Sequence, residues 1–251
     1  MFAFCVLALC GILVVFCRGL AIDAGSWISL SLTFLPIFLC SALLLSTGIV
    51  LIRIYHDDVK RRKKTIAKVI SESWDLMIGT SYLCVPIILC YLMLWIIQGV
   101  FLLLKEIPAA GNVISIIFSF GPFLLILGSI LLCILVLVIL FSVTPLVALR
   151  SVSRMKLLQY IIKKWQGNPF TNSLLLFLSL TPAIIVTGIL ILAAWMTDIN
   201  YLQTEGALYT VMQWFFMMLP FVAVLSPTVV FFFNFSAESH VLMQKRNNNN
   251  I

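Results

Sequence analysis

Few side chains in this sequence are able to do chemistry, and those few are grouped. His56 is followed directly by Asp57 and Asp58, and Glu238 stands two residues before His240. His56 lies twenty residues after Pro36, and His240 lies twenty residues after Pro220. Imidazole nitrogens gathered with carboxylate oxygens form a donor set for a divalent metal or a polar headgroup. Ser142 stands at the corresponding place in the middle of the chain, so a three-fold set is incomplete. The simpler reading makes these five residues ordinary polar groups at a membrane interface.

A second group is cationic. Lys60, Arg61, Arg62, Lys63 and Lys64 are consecutive. Each cation held near an anionic bilayer surface adds about 1 kcal/mol of attraction. The run therefore offers a site for anionic lipid headgroups, and it also acts as an orientation signal. The seven cysteines (Cys5, Cys10, Cys17, Cys40, Cys84, Cys90 and Cys133) all lie inside apolar runs, without CxxC or Cys/His metal spacing. They read as small apolar packing residues. The sequence has no GxxxxGK[ST], GxSxG or HExxH, which counts against an ATPase, a serine hydrolase and a zinc protease. Asn234-Phe235-Ser236 matches a glycosylation sequon but falls at the inner end of an apolar run, where it would go unused. No catalytic constellation and no cofactor site emerge, so the expectation is a protein that is not an enzyme.

The elements that must position these residues are long apolar helices. Of 251 residues, 63% are hydrophobic and 10% charged, and the mean hydropathy is +1.16. Soluble domains are about 45–50% apolar and about 25% charged, so lipid must be the solvent for most of this chain. A helix needs about 20 apolar residues to cross about 30 Å of hydrocarbon. Six segments qualify, at about 3–22, 29–53, 79–104, 122–148, 171–196 and 211–236. Arg18 interrupts the first, and its long side chain can reach the interface. Residues 1–17 contain no basic residue, so the segment reads as a retained span rather than a cleaved signal. Gly121-Pro122 divides an overlong apolar run, leaving 113–120 as a short lead-in.

Charge then gives orientation. The net charge is +7, and fourteen of the sixteen Lys and Arg fall after the second span, after the fourth span or in the tail. The other side holds only Arg18 and Lys105, beside Asp23, Glu106, Asp198 and Glu205. Cytoplasmic loops carry the excess of cations, so both termini are expected in the cytoplasm. The cations sit between apolar runs, which favours a membrane partner and excludes nucleic acid. Trp27, Trp195 and Trp214 fall near outer span ends, where aromatic belts form.

An internal repeat organises the spans. Phe4-Cys5-Val6, Cys10 and Gly19 recur 79–80 residues later as Leu83-Cys84-Val85, Cys90 and Gly99. Leu35-Pro36-Ile37, Gly121-Pro122-Phe123 and Leu219-Pro220-Phe221 align at the starts of the even spans. Pro86 and Pro182, with Trp95 and Trp195, align in two odd spans. Two amphipathic basic stretches, 65–74 and 157–165, precede the third and fifth spans. Ile66, Val69, Ile70 and Trp74 form one face of the first, with Lys68 and Glu72 off it. Apolar spacing of three and four residues opposite lysine fits a helix lying in the interface. The fold expected is all-α: a polytopic membrane bundle of six spans in three two-span units, about 1–56, 57–150 and 151–246, with interfacial helices. Residues 247–251, rich in Asn, are expected to be a disordered tail.

The stretch Thr65-Ile66-Ala67-Lys68-Val69-Ile70-Ser71-Glu72-Ser73-Trp74 leading into a span, and 145–165 linking two others, resemble a diffuse bacterial group of six-span proteins. That group includes the membrane domain attached to some glycerophosphodiester phosphodiesterases. No phosphodiesterase domain is present, so no catalytic residue carries over. The resemblance implies a bacterial inner-membrane protein of unassigned role. The residues themselves leave, as a first reading, a non-enzymatic membrane protein that interacts with lipid, anionic headgroups or partner membrane proteins. The alternative is a transporter or permease subunit for a small or apolar molecule. A polar cavity reaching mid-membrane would favour the alternative, and a dry close-packed bundle the first reading.

Overall fold

A computed structural model of the chain describes residues 1–22, 24–62, 64–105, 120–149, 169–201 and 207–249. Every element among them is helical: α1 (Phe2–Leu20), α2 (Ser26–Val59), α3 (Ile66–Ser81), α4 (Val85–Lys105), α5 (Gly121–Leu149), α6 (Pro169–Tyr201) and α7 (Ala207–Asn249). Six stretches are long and apolar enough to cross a membrane: Phe2–Leu20, Ile28–Val59, Ile66–Phe101, Gly121–Leu149, Pro169–Thr197 and Tyr209–Met243. The chain is a multi-pass membrane protein with an all-α six-helix bundle.

The second helix of each expected unit turns inward. α2, α5 and α7 touch one another, while α1, α4 and α6 pack outside them. Phe38, Leu45, Ile49, Ile52, Phe141, Val143, Leu146 and Phe233 are almost fully buried at this centre. Gly48 of α2 lets the three helices meet: a methyl group there would collide with the Phe233 ring and reach within 2.6 Å of Thr144 Cγ2. Small residues permit such close approach where lipid supplies no hydrophobic drive between helices. The outer faces keep large apolar residues exposed, such as Leu131 on α5, Ile189 on α6 and Phe216 on α7. In water that would be costly, but against lipid tails it is not.

Polar side chains inside the bundle are satisfied locally. Thr47 donates to Leu43 O (2.7 Å), Ser41 to Phe38 O (2.6 Å) and Thr144 to Leu140 O (2.6 Å), each one turn back on its own helix. Others join helices: Ser236 on α7 donates to Phe141 O on α5 (2.6 Å), and Tyr91 on α4 donates to Ser31 O on α2 (2.6 Å). Such bonds contribute about 0.6–2 kcal/mol each in membrane bundles.

The prolines play different parts. Pro122 is the second residue of α5 and Pro169 the first of α6, where the missing N–H costs nothing. Pro36 and Pro220, expected to start their spans, instead lie well inside α2 and α7. Neighbouring helices tolerate the lost i→i−4 bond there. Pro86 follows a break: Leu83 N–H bonds Thr80 O and Cys84 N–H bonds Ser81 O, so the chain makes a three-residue turn between α3 and α4. Pro86 is the second residue of α4 and sits in its first turn, where the missing N–H costs nothing.

α3 is separated from α4 by a short turn, but it does not lie flat, the arrangement expected of the amphipathic stretch 65–74. It packs lengthwise against α2 as a hairpin and, with α4, makes up the apolar stretch Ile66–Phe101. Lys64 and Glu72 pair near Asp57, Ser73 meets Arg53, and Ser81 meets Ser46. Numbers fall along α2 as they rise along α3, so the two run antiparallel. The expected apolar stripe divides accordingly. Val69, with Ser73 and Thr80, is buried. Ile66 and Trp74 stay exposed on the flank, and Lys68 and Glu72 are exposed too. The second amphipathic stretch, 157–165, and the lead-in 113–120, except Phe120, lie outside the described residues. α7 continues helical through Asn249, into the tail expected to be irregular, because each added helical residue gains a backbone bond once the helix exists.

All seven cysteines are free. Cys10, Cys17, Cys40 and Cys84 are buried, as packing residues should be, but Cys5 and Cys90 are on the outer surface of the bundle. The aligned pairs Cys5/Cys84 and Cys10/Cys90 thus have opposite environments. Trp95 is buried while Trp195 is exposed. Aligned residues of the expected units thus have different surroundings.

Candidate functional site

At the polar end of α2 the chain reverses direction through its cationic run. Arg61 N–H bonds Asp58 O (2.9 Å), and Arg62 N–H bonds Asp57 O (2.8 Å). This is the Schellman pattern, which needs a left-handed residue after the helix and usually uses glycine. Here Arg61 takes that place with φ of 54°. A side chain in that region costs about 1–2 kcal/mol. The turn leaves Lys60, Arg61, Arg62 and Lys64 exposed at the end of the α2–α3 hairpin. Lys63 lies outside the described residues. Lys64 is tied to Glu72 (2.6 Å) and approaches Asp57 (3.9 Å). Cations at a helix C-terminus also meet its negative dipole end favourably.

The five residues expected to gather are only partly brought together. α2 and α7 are neighbours, and the Tyr55 hydroxyl donates to the Glu238 carboxylate across them. His240 is buried at 3% exposure, whereas Asp58 and Glu238 are exposed and His56 and Asp57 intermediate. Among the described residues no three His, Cys, Asp or Glu side chains converge to hold a metal ion. The side chain that reaches Glu238 from α2 is Tyr55, one residue before His56. Ser142, aligned with the histidines, is a buried residue of α5.

Arg53 was legible only as one cation among fourteen, yet its side chain makes three hydrogen bonds at this end. Its guanidinium donates to Ala148 O at the end of α5 (3.3 Å), to Glu72 O on α3 (3.2 Å) and to Ser73 Oγ (2.9 Å). It thus fastens three helices and caps the exposed carbonyls of a helix C-terminus, a favoured place for a cation. An arginine ending an apolar span was the available signal.

At the opposite end, α1 and α6 stand on either side of α7 and leave a lateral groove of about 890 Å³. Gly11 sits against Met218 and Gly19 against Val211, so α1 runs antiparallel to α7. Arg18 lies 5.2 Å from the centre of the Trp214 ring, within cation–π range. With Thr210 and Gln213 these make one end polar, while Leu7, Phe221 and Leu225 line the other. A shallower groove of about 430 Å³ between α4 and α5 has only apolar side chains and Gly128 along its walls.

Comparison with protein-family models, with curated proteins and with solved structures finds no match to this chain.

Proposed function

We propose that this chain is a non-catalytic protein of the bacterial inner membrane that works by binding lipid, with partner membrane proteins as further contacts. Both termini and the α2–α3 turn face the cytoplasm in this reading. The observation that carries it is the α2–α3 turn. Four exposed cations stand together where α2 ends, and one of them, Arg61, occupies a backbone position that glycine would fill at lower cost. Strain kept at a position is a pointer to function. Anionic headgroups are the chemistry these cations suit. Among the described residues the cations toward the opposite end are Arg18 and Lys105, in keeping with the positive-inside bias.

The test is lipid retention. The full chain is purified in mild detergent and its bound lipids are weighed by native mass spectrometry. Anionic phospholipid should be retained over phosphatidylcholine when both are supplied equally. The variant with Lys60, Arg61, Arg62 and Lys64 all changed to Gln should lose that preference while keeping its melting profile. A preference left unchanged in the folded variant overturns the reading.

A further inference from the structure

The geometry points to the groove between α1, α6 and α7 as a binding site for one anionic phospholipid in the leaflet opposite the α2–α3 turn, its phosphate at Arg18 and an acyl chain along α7. The inference rests on the lipid-binding reading above and gives it a second, separate site.

Three features argue for that occupant. The first is charge. Arg18 is held over Trp214 at the polar end of the groove. Guanidinium groups suit phosphate, which they bind through paired N–H donors. The second is shape. The groove runs along α7 from Thr210 to Leu225. Fifteen residues of helix cover about 22 Å at 1.5 Å each, longer than the roughly 15 Å of a single leaflet's hydrocarbon. Its volume of about 890 Å³ falls within the roughly 300–1,000 Å³ of ligand sites. The third is the gradient of polarity, with polar groups at the outer end only. Met217 and Met218, which line the middle, are flexible side chains that adapt to an inserted chain. The α4–α5 groove has no charged wall and serves as an internal comparison.

The experiment uses the full chain in vesicles containing phosphatidylcholine and a small fraction of phospholipid with a diazirine on its acyl chain. Adducts are mapped by mass spectrometry after illumination. Diazirine phosphatidylglycerol should label the groove at Met217, Met218 or Phe221 roughly tenfold more than diazirine phosphatidylcholine at equal fraction. Arg18→Gln should reduce that excess to near parity, and Arg18→Lys should keep most of it. Ala194→Trp, which fills the groove from α6, should remove groove adducts while those at Leu131 and Leu135 between α4 and α5 persist, which reports an intact fold. Equal labelling by the two phospholipids in the unaltered protein overturns the inference. So does an Arg18→Gln variant that keeps the excess, or stronger groove labelling by a diazirine fatty acid than by phosphatidylglycerol. Loss of the groove preference with anionic lipid still retained at the α2–α3 turn refutes this site and leaves the proposed function standing.

Discussion

Replacing Arg53 by Gln should loosen three helices at once. The guanidinium holds Ala148 O, Glu72 O and Ser73 Oγ at 3.3, 3.2 and 2.9 Å. Hydrogen bonds from charged donors contribute roughly 1.5–3 kcal/mol each, and a buried hydroxyl left without its partner costs roughly 1–3 kcal/mol. Ser73 is fully buried, so the second cost applies there. The two longer bonds share one guanidinium with the shortest, and losses at a shared group do not add. The combined loss is about 3 kcal/mol. For chains of 150–250 residues each kcal/mol moves the melting temperature by roughly 2–4 °C, so Arg53→Gln should lower it by roughly 6–12 °C. Arg53→Lys, which keeps the charge but not the fork of donors, should fall between. The assay is thermal unfolding followed by a thiol-reactive fluorophore in a Cys5→Ser, Cys90→Ser, Cys133→Ser background. Cys10, Cys17, Cys40 and Cys84 are buried and react only on unfolding. An Arg53→Gln protein that melts with the parent would refute the fastening role.

Gly48→Ala should cost about 1–3 kcal/mol through overpacking against Phe233 and Thr144, and Phe233→Leu should recover part of the loss in the same melting assay. Arg61→Gly should raise stability by about 1 kcal/mol by relieving the left-handed strain, while weakening retention of anionic lipid in mass spectra. Tyr55→Phe and Glu238→Gln should each loosen α2 from α7, with a double-mutant coupling of about 1 kcal/mol; additive effects would mean the contact is idle. Chelation with EDTA, or addition of zinc, should leave the melting temperature unchanged, since no three candidate ligands converge among the described residues.

The helices were readable in the sequence because lipid imposes one rule on every span, a long apolar run, and each expected span overlaps an apolar stretch of the bundle, the third crossing the turn between α3 and α4. Residues that act across helices were readable only in part. Arg18 was visible as an interruption of the first span and Trp214 as an interfacial aromatic, but their meeting depends on α1 lying against α7, which no local pattern encodes. For the histidines to meet, α2 must lie beside α7, and it does, but the side chain that makes the contact is Tyr55, the neighbour of His56. Pro36 and Pro220 marked sequence alignment rather than helix starts, because a packed bundle tolerates proline inside a span. The left-handed Arg61 had no signature, since glycine is the residue that normally announces that turn.

The central claim is a six-span bundle whose cationic α2–α3 turn and whose α1–α2 turn lie on opposite sides of the membrane. It is tested most directly by cysteine accessibility in a cysteine-free background, comparing Gly25→Cys with Arg62→Cys, both at exposed positions at opposite ends of α2. A reagent that cannot cross membranes should label position 25 in intact cells and position 62 only after permeabilisation. Labelling of both positions from the same side would contradict the account.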